Sequence, residues 1–214
     1  MKEHLLTVIF VDGIGGRRYM RRALMGRLAA DGHACHYFDY RPSREPLDVI
    51  QAALADRLRL IAEAGPYVLI GYSFGGVLAR STLTAFPDLP LPRRLLLLAS
   101  PTHSLRMCRA VGHLAIFRWL TGESGALLAS DPAMNEIRFP EVATTCIYGT
   151  TPIARRFSLA GAGANDGIVS VEEIDPQRFT DLVSVRSSHP FMPGNRAVID
   201  AIVARLSFRE AVER

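Results

Sequence analysis

Strand-like and helix-like patterns alternate along the whole chain and predict an α/β fold, a mostly parallel sheet of about six strands with helices on both faces. Three observations carry that expectation. Short apolar runs, of which Leu95-Leu96-Leu97-Leu98-Ala99 is the purest, suit strands buried on both faces. Segments with apolar residues three and four apart lie between such runs, as in Leu47, Ile50, Leu54, Leu58 and Ile61. A length of 214 residues with 49% hydrophobic content fits residues 1–214 as a single domain around one sizeable core.

The first strand is expected over residues 5–11 and stops at Asp12-Gly13-Ile14-Gly15-Gly16, whose glycines allow backbone angles closed to other residues. A helix over 17–30 and a second strand over 34–40 follow, and Arg41-Pro42 breaks the chain before a helix over 47–64 that ends at Gly65-Pro66. Val68, Leu69 and Ile70 mark the third strand, Val77, Leu78 and Ala79 the helix behind it, and a connection through Pro87, Pro90 and Pro92 leads to the buried strand over 95–99.

Between residues 103 and 140 the pattern loosens. Leu105, Cys108, Val111, Leu114 and Trp119 fit one helix, and Gly122, Gly125 and Pro132 interrupt the chain beyond it, so the stretch is read as a short cap inserted over the sheet. Its Leu114, Ile116, Phe117, Trp119 and Leu120 are either plain core or a hydrophobic lid for acyl chains. A strand over 142–148, a glycine-rich loop through Gly161 and Gly163 to Asn165-Asp166-Gly167, and an alternating last strand over 182–186 come next. The chain closes with a helix after Gly194 that has Ala197, Val198, Ala201, Ile202 and Leu206 on its apolar side.

The formal net charge of +4 is carried almost wholly by arginine, with Lys2 the only lysine. These residues are spread along the chain, which argues against dedicated nucleic-acid binding. Arg17, Arg18, Arg21 and Arg22 are expected to form a solvated helix face, the alternative being attraction of an anionic substrate such as an acyl thioester. Cys35, Cys108 and Cys146 lack any C-x-x-C pairing, so buried free thiols are expected rather than a metal knuckle or disulfides, and no cofactor or metal is called for. Met1-Lys2-Glu3-His4 and the short apolar run behind it lack the features of a secretory signal, and no stretch has the apolar length of a bilayer span. A cytoplasmic protein with no stable membrane insertion is the default expectation.

The stretch around which the chemistry gathers is Tyr67-Val68-Leu69-Ile70-Gly71-Tyr72-Ser73-Phe74-Gly75-Gly76. An ordinary serine hydroxyl attacks nothing without geometry and a base. Here Ser73 falls at a strand-to-helix turn too tight for bulky neighbours, which Gly71 and Gly75 relieve, and a helix N-terminus stands behind it to favour a developing oxyanion. Parallel strands bring their carboxyl ends to one edge. Ile14 follows the first strand, Ser73 the third, Asp166 the fifth and His189 the sixth, so an alcohol, a carboxylate, an imidazole and a glycine loop converge there. In acyl transfer His189 takes the Ser73 proton and returns one to the leaving group, Asp166 orients the ring, and the N–H groups of Ile14 and Phe74 hold the oxyanion. His103, after the fourth strand, is the competing base, although the order Ser, Asp, His favours His189. Glu172, Glu173 and Asp175 compete with Asp166 as the acid.

Over nearly its whole length the chain resembles the α/β-hydrolase superfamily, specifically the small bacterial esterase/lipase group. Val11-Asp12-Gly13-Ile14-Gly15-Gly16 resembles the lipase oxyanion loop, Gly71-Tyr72-Ser73-Phe74-Gly75-Gly76 the nucleophile elbow, and Asn165-Asp166-Gly167-Ile168-Val169 with Ser188-His189 the acid and base segments. The resemblance implies a minimal α/β-hydrolase fold that lacks the first two strands of the full form and carries a variable cap after the fourth strand. Asp12 departs from the family pattern, standing where a histidine is usual. A carboxylate beside a developing oxyanion is unfavourable unless it points away and accepts backbone hydrogen bonds. Two functions stay open: a serine hydrolase acting on a small-molecule ester or acyl substrate, thioesters included, or a hydrolase fold kept as a binding or scaffold module, with Asp12 as the first sign of decay.

Overall fold

A computed structural model describes residues 5–152, 161 and 163–207. Readings that fall on Lys2, on His4 or on the stretch just before Gly161 lie outside the described residues. Six strands form where the apolar runs stand: β1 (Thr7–Val11), β2 (Ala34–Phe38), β3 (Tyr67–Tyr72), β4 (Arg94–Leu98), β5 (Thr144–Gly149) and β6 (Asp181–Val185). Their order in the sheet is β2-β1-β3-β4-β5-β6, and every neighbouring pair is parallel.

Because β1 lies between β2 and β3, the chain winds outward to β2 and then crosses back to run the other way through β4, β5 and β6. The helices therefore divide between the two faces. Helices α1 (Arg18–Ala30) and α7 (Arg196–Ser207) cover one, while α2 (Leu47–Glu63) and α3 (Phe74–Ala85) cover the other. Strand periodicity sorts the core accordingly. Ile9, Leu69, Leu95, Leu97 and Cys146 meet Leu54, Leu58 and Val77, whereas Val8, Ile70, Leu96 and Ile147 meet Leu24, Leu28 and Val198. Leu95 through Leu98 are wholly buried, each contributing roughly 1.5–3 kcal/mol by leaving water. The reversal of winding falls between β1 and β3, and at such a point the loops leaving the strand ends diverge and open a crevice.

The inserted stretch holds three helices, α4 (Arg106–Val111), α5 (Ala115–Ala129) and α6 (Asp131–Glu136), which corrects the expectation of one helical face from Leu105 to Trp119. The break falls at Gly112, the C-cap of α4. Leu105 and Cys108 are buried before it, while Leu114 and Trp119 are exposed after it. Gly125 sits inside α5, and Gly122 kinks that helix with φ +54° instead of ending it, its missing side chain allowing the carbonyl of Pro42 to approach. Pro132 occupies the first turn of α6, where no N–H is needed, and Ser130 caps the helix. Leu105 N donates to Leu128 O at 2.8 Å and Leu47 N to Glu123 Oε2 at 2.7 Å. Helix α5 thus bridges the segments leaving β4 and β2, and the strands between those two are β1 and β3. Among the described residues no helix is long and apolar enough to cross a membrane.

Candidate functional site

Ser73 links β3 to α3 at φ 54° and ψ −125°, a backbone region an L-residue occupies only when its surroundings impose it. The surroundings are backbone. A Cβ on Gly71 would stand 2.4 Å from Gly76 Cα, and one on Gly75 would stand 2.2 Å from Val11 O, so strand, helix and the end of β1 meet in a space that only glycine leaves open. Ser73 N donates to Leu98 O at 2.8 Å, which fixes the turn to β4. Ser73 is half-buried at the carboxyl end of β3.

The imidazole of His189 reaches that hydroxyl: Nε2 lies 2.8 Å from Ser73 Oγ, and Nδ1 lies 2.7 Å from Asp166 Oδ2. Asp166 is buried, and its other oxygen accepts from the N–H groups of Ile168 and Val169 at 2.9 and 2.8 Å. The loop after β5 therefore folds around its own carboxylate, with Asn165 Oδ1 accepting from Gly167 N at 2.9 Å to complete the turn. His189 opens a short 3-10 helix (His189–Gly194), donates its N–H to Asp166 O at 2.9 Å, and offers its carbonyl to the Tyr72 hydroxyl at 2.8 Å. Burial, with a smaller contribution from the Asp166 charge, raises the Tyr72 phenol well above its ordinary range, so it remains a neutral donor.

The glycine loop after β1 closes on the serine from the other side. A Cβ on Gly13 would stand 2.8 Å from Ser73 Cβ. No backbone hydrogen bond among the described residues uses the N–H of Ile14 or of Phe74. Asp12 is buried, and its carboxylate pairs with Arg21, a residue of α1 that is 2% exposed. Arg21 also donates to Asp39 at 3.0 Å and lies over the Tyr37 ring at 4.5 Å. Burial raises the Asp39 pKa, but hydrogen bonds from Arg21 and Arg18 and their charges outweigh it, so the net shift is downward. The expected solvated arginine face holds for Arg17, Arg18 and Arg22 and fails for Arg21, because two carboxylates from different strand ends face it.

The model of the Alpha/beta hydrolase family matches residues 8–205. This chain belongs to that family. No curated protein matches it. Among solved structures, the mature form of the lipase BlEst2 of Bacillus licheniformis is 17% identical with a TM-score of 0.71, covering 95% of this chain and 93% of that one. The metagenomic carboxyl esterase MGS0156 is 16% identical with a TM-score of 0.73, over 94% of this chain and 75% of that one. The RedJ thioesterase of the prodiginine pathway in Streptomyces coelicolor is 17% identical with a TM-score of 0.53, over 94% and 89%. These likenesses carry the fold, six parallel strands in the minimal arrangement of the alpha/beta hydrolase family.

Within this hydrolase fold the competing residues stand elsewhere. His103 is exposed and lines a cavity of about 350 Å³ with Tyr148, Glu172, Asp175 and Leu182, on the face opposite α1 and α7. Glu173 is buried, but its carboxylate accepts from Arg106 N and Ser170 N, both at 2.7 Å, and so joins the start of α4 to the loop after β5. Asp175 accepts from Gln177 N and Arg178, and Glu172 pairs with Arg106. Sequence reasoning missed Arg21, Tyr72 and Gly149. Gly149, at the end of β5, leaves 2.8 Å between an imagined Cβ and Asp166 Cβ and 2.5 Å to Ser187 O, so both the Asp166 loop and the loop that leads to His189 need that glycine. Its place at a strand's carboxyl end was the signal available.

Proposed function

We propose that this chain is a serine hydrolase that cleaves carboxylic esters or thioesters through an acyl-enzyme on Ser73. The observation that carries the reading is the continuous contact from Ser73 Oγ to His189 Nε2 at 2.8 Å and from His189 Nδ1 to Asp166 Oδ2 at 2.7 Å. His189 Nε2 takes the hydroxyl proton as Oγ attacks the acyl carbon, and the resulting imidazolium is stabilised by the Asp166 carboxylate. The N–H groups of Ile14 and Phe74 receive the oxyanion, each worth roughly 3 kcal/mol of barrier. The imidazolium then protonates the departing alkoxide or thiolate. Water, deprotonated by the same ring, releases the acid and restores Ser73.

Pairing of Asp12 with Arg21 supports this reading over a non-catalytic scaffold, since the carboxylate is neutralised on the side of α1. The inserted helices supply an apolar surface near the crevice, with Ile116 at 60%, Trp119 at 70% and Leu120 at 52% exposure. That exposure supports a cap over the acyl part of a small-molecule substrate, while Phe117 of the same helix packs partly buried against the core. Turnover of p-nitrophenyl acetate and butyrate by the purified protein tests the reading. Ser73→Ala is expected to lower kcat/KM by at least about 10³-fold, and a fluorophosphonate probe is expected to label the peptide that carries Ser73. Activity that survives the substitution sinks the nucleophile assignment.

A further inference from the structure

We infer that Arg21 is a positioning residue for the oxyanion loop, acting by neutralising Asp12 and tying the loop to α1. The inference rests on the ester-hydrolase reading above and adds a residue that chain position alone does not suggest. Asp12 immediately precedes Gly13, which abuts Ser73, and Gly75 in the first turn of α3 leaves only 2.5 Å between an imagined Cβ and the Asp12 carbonyl. The Asp12 side chain is therefore one residue from the wall of the crevice in which negative charge develops. A bare carboxylate there opposes the oxyanion through a poorly screened path. The side chains of Asp12 and Arg21 are 9% and 3% exposed, so neither charge is relieved by solvent.

The position of the loop is held from two sides. Tyr40 Oη donates to Asp12 O at 2.8 Å, which fixes the backbone, while Arg21 fixes the side chain and is itself held by Asp39 at 3.0 Å and by the Tyr37 ring. Gly16 turns back over the carboxylate so closely that a Cβ would lie 2.8 Å from Asp12 Cβ. The loop from Asp12 to Gly16 thus wraps its own acidic side chain and directs it toward α1. Where the family pattern has a histidine, this chain has an ion pair. A buried pair is costly to break from one side, because the remaining charge is stranded.

That asymmetry gives the test, which uses the full chain and p-nitrophenyl butyrate, with folding followed by far-UV circular dichroism. Arg21→Met strands Asp12 and is expected to lower kcat about 30-fold with KM within about threefold. Asp12→Asn leaves Arg21 on Asp39 and is expected to cost about fivefold. The double variant Asp12→Asn/Arg21→Met is expected to have a kcat about fivefold above that of Arg21→Met alone. Because removing a stranded charge also restores stability, urea midpoints are measured on the same preparations. A kcat rescue between variants that are both fully folded at the assay condition is what a purely structural role does not produce. Arg21→Lys keeps the charge and is expected to retain at least about a third of kcat, which covers the case in which Arg21→Met does not fold. A double variant no better than Arg21→Met, or a lysine variant 30-fold impaired, overturns the inference. If wild-type turnover depends on Ser73 while Arg21→Met keeps its kcat, this inference alone fails; if Ser73→Ala is as active as wild type, both fall.

Discussion

At the scale of the residue, the site is shaped as much by missing side chains as by reactive ones. Gly149 is the sharpest case, because the atoms an alanine would meet are the backbone carbonyl of Ser187 and the Cβ of Asp166, neither of which can swing aside as a flexible tip could. Gly149→Ala is expected to cost about 1–3 kcal/mol of stability through overpacking. On the proposed mechanism, displacement of Asp166 or of the loop that carries His189 by a fraction of an ångström is expected to lower kcat about 10- to 100-fold. Urea denaturation and ester turnover on the same preparation check both. Wild-type kcat at unchanged stability would show that the loop after β6 absorbs the methyl freely. That Ser73, Asp166 and His189 meet at one sheet edge was legible in the sequence, because each follows a recognisable strand and parallel strands bring their carboxyl ends together. The burial of Arg21 was not legible, since its helix carries exposed arginines on either side and only the return of β2 beside β1 brings Asp12 and Asp39 to it.

At the scale of the element, helix α3 does two things: it begins at the serine and it fastens both ends of the inserted helices. Arg80 on α3 is 1% exposed, donates to Pro101 O at 2.9 Å before the insertion, and lies over the Phe139 ring at 4.5 Å after it. No carboxylate among the described residues pairs with it. Burial lowers its pKa to about 10, with the Cys146 thiol opposing and Arg178 adding to that shift. Since the folded value lies below the unfolded one, the chain pays for burying the charge at every pH below about 10, and the penalty fades only as pH rises from there toward the ordinary guanidinium value. That penalty is on the order of 3 kcal/mol, and the charged hydrogen bond to Pro101 O, worth roughly 1.5–3 kcal/mol, offsets it at most about evenly. Arg80→Met, of similar length and apolar, is therefore expected to be neutral or to stabilise by up to about 2 kcal/mol at pH 7, measured by urea denaturation. A loss above about 1 kcal/mol would mean that the guanidinium holds the insertion more firmly than it is penalised. The expected single helix through this region failed for a local reason. Leu105, Cys108, Val111 and Leu114 keep helical spacing across Gly112, and periodicity by itself does not register a cap that lets the chain turn.

At the scale of the whole molecule, the sheet order puts β2 and β6 at opposite edges, and each edge is tied by an aspartate to an arginine on the same helical face. Asp39, just after β2, holds Arg21 and Arg18 of α1, while Asp181 at the start of β6 holds Arg205 of α7. A parallel sheet of about six strands was legible, because strands that alternate with helices return in the same direction through crossovers. The edge ties were not, since an aspartate at a strand end reads equally as a solvated turn. Their consequence is a pH dependence with a fixed sign. The Arg205 hydrogen bond, against burial, and then the Arg205 charge lower the Asp181 pKa from 3.8, and Asp39 is lowered from the same value. A carboxylate whose folded pKa is depressed contributes stability that is fully present above the unfolded value and is lost as pH falls through the folded one. Stability is thus expected to be insensitive to these two groups above about pH 5 and to fall progressively below about pH 4. Arg205→Met should be less stable than wild type at pH 6, by no more than about 1 kcal/mol because Asp181 is partly solvated and screened. The two proteins should converge as pH falls through the depressed folded value of Asp181 and its carboxylate is protonated. Urea denaturation at pH 6, 4 and 2 reads the difference directly, and a gap that stays constant across that range would mean that Arg205 acts through its packing on α7 and not through the charge at the sheet edge.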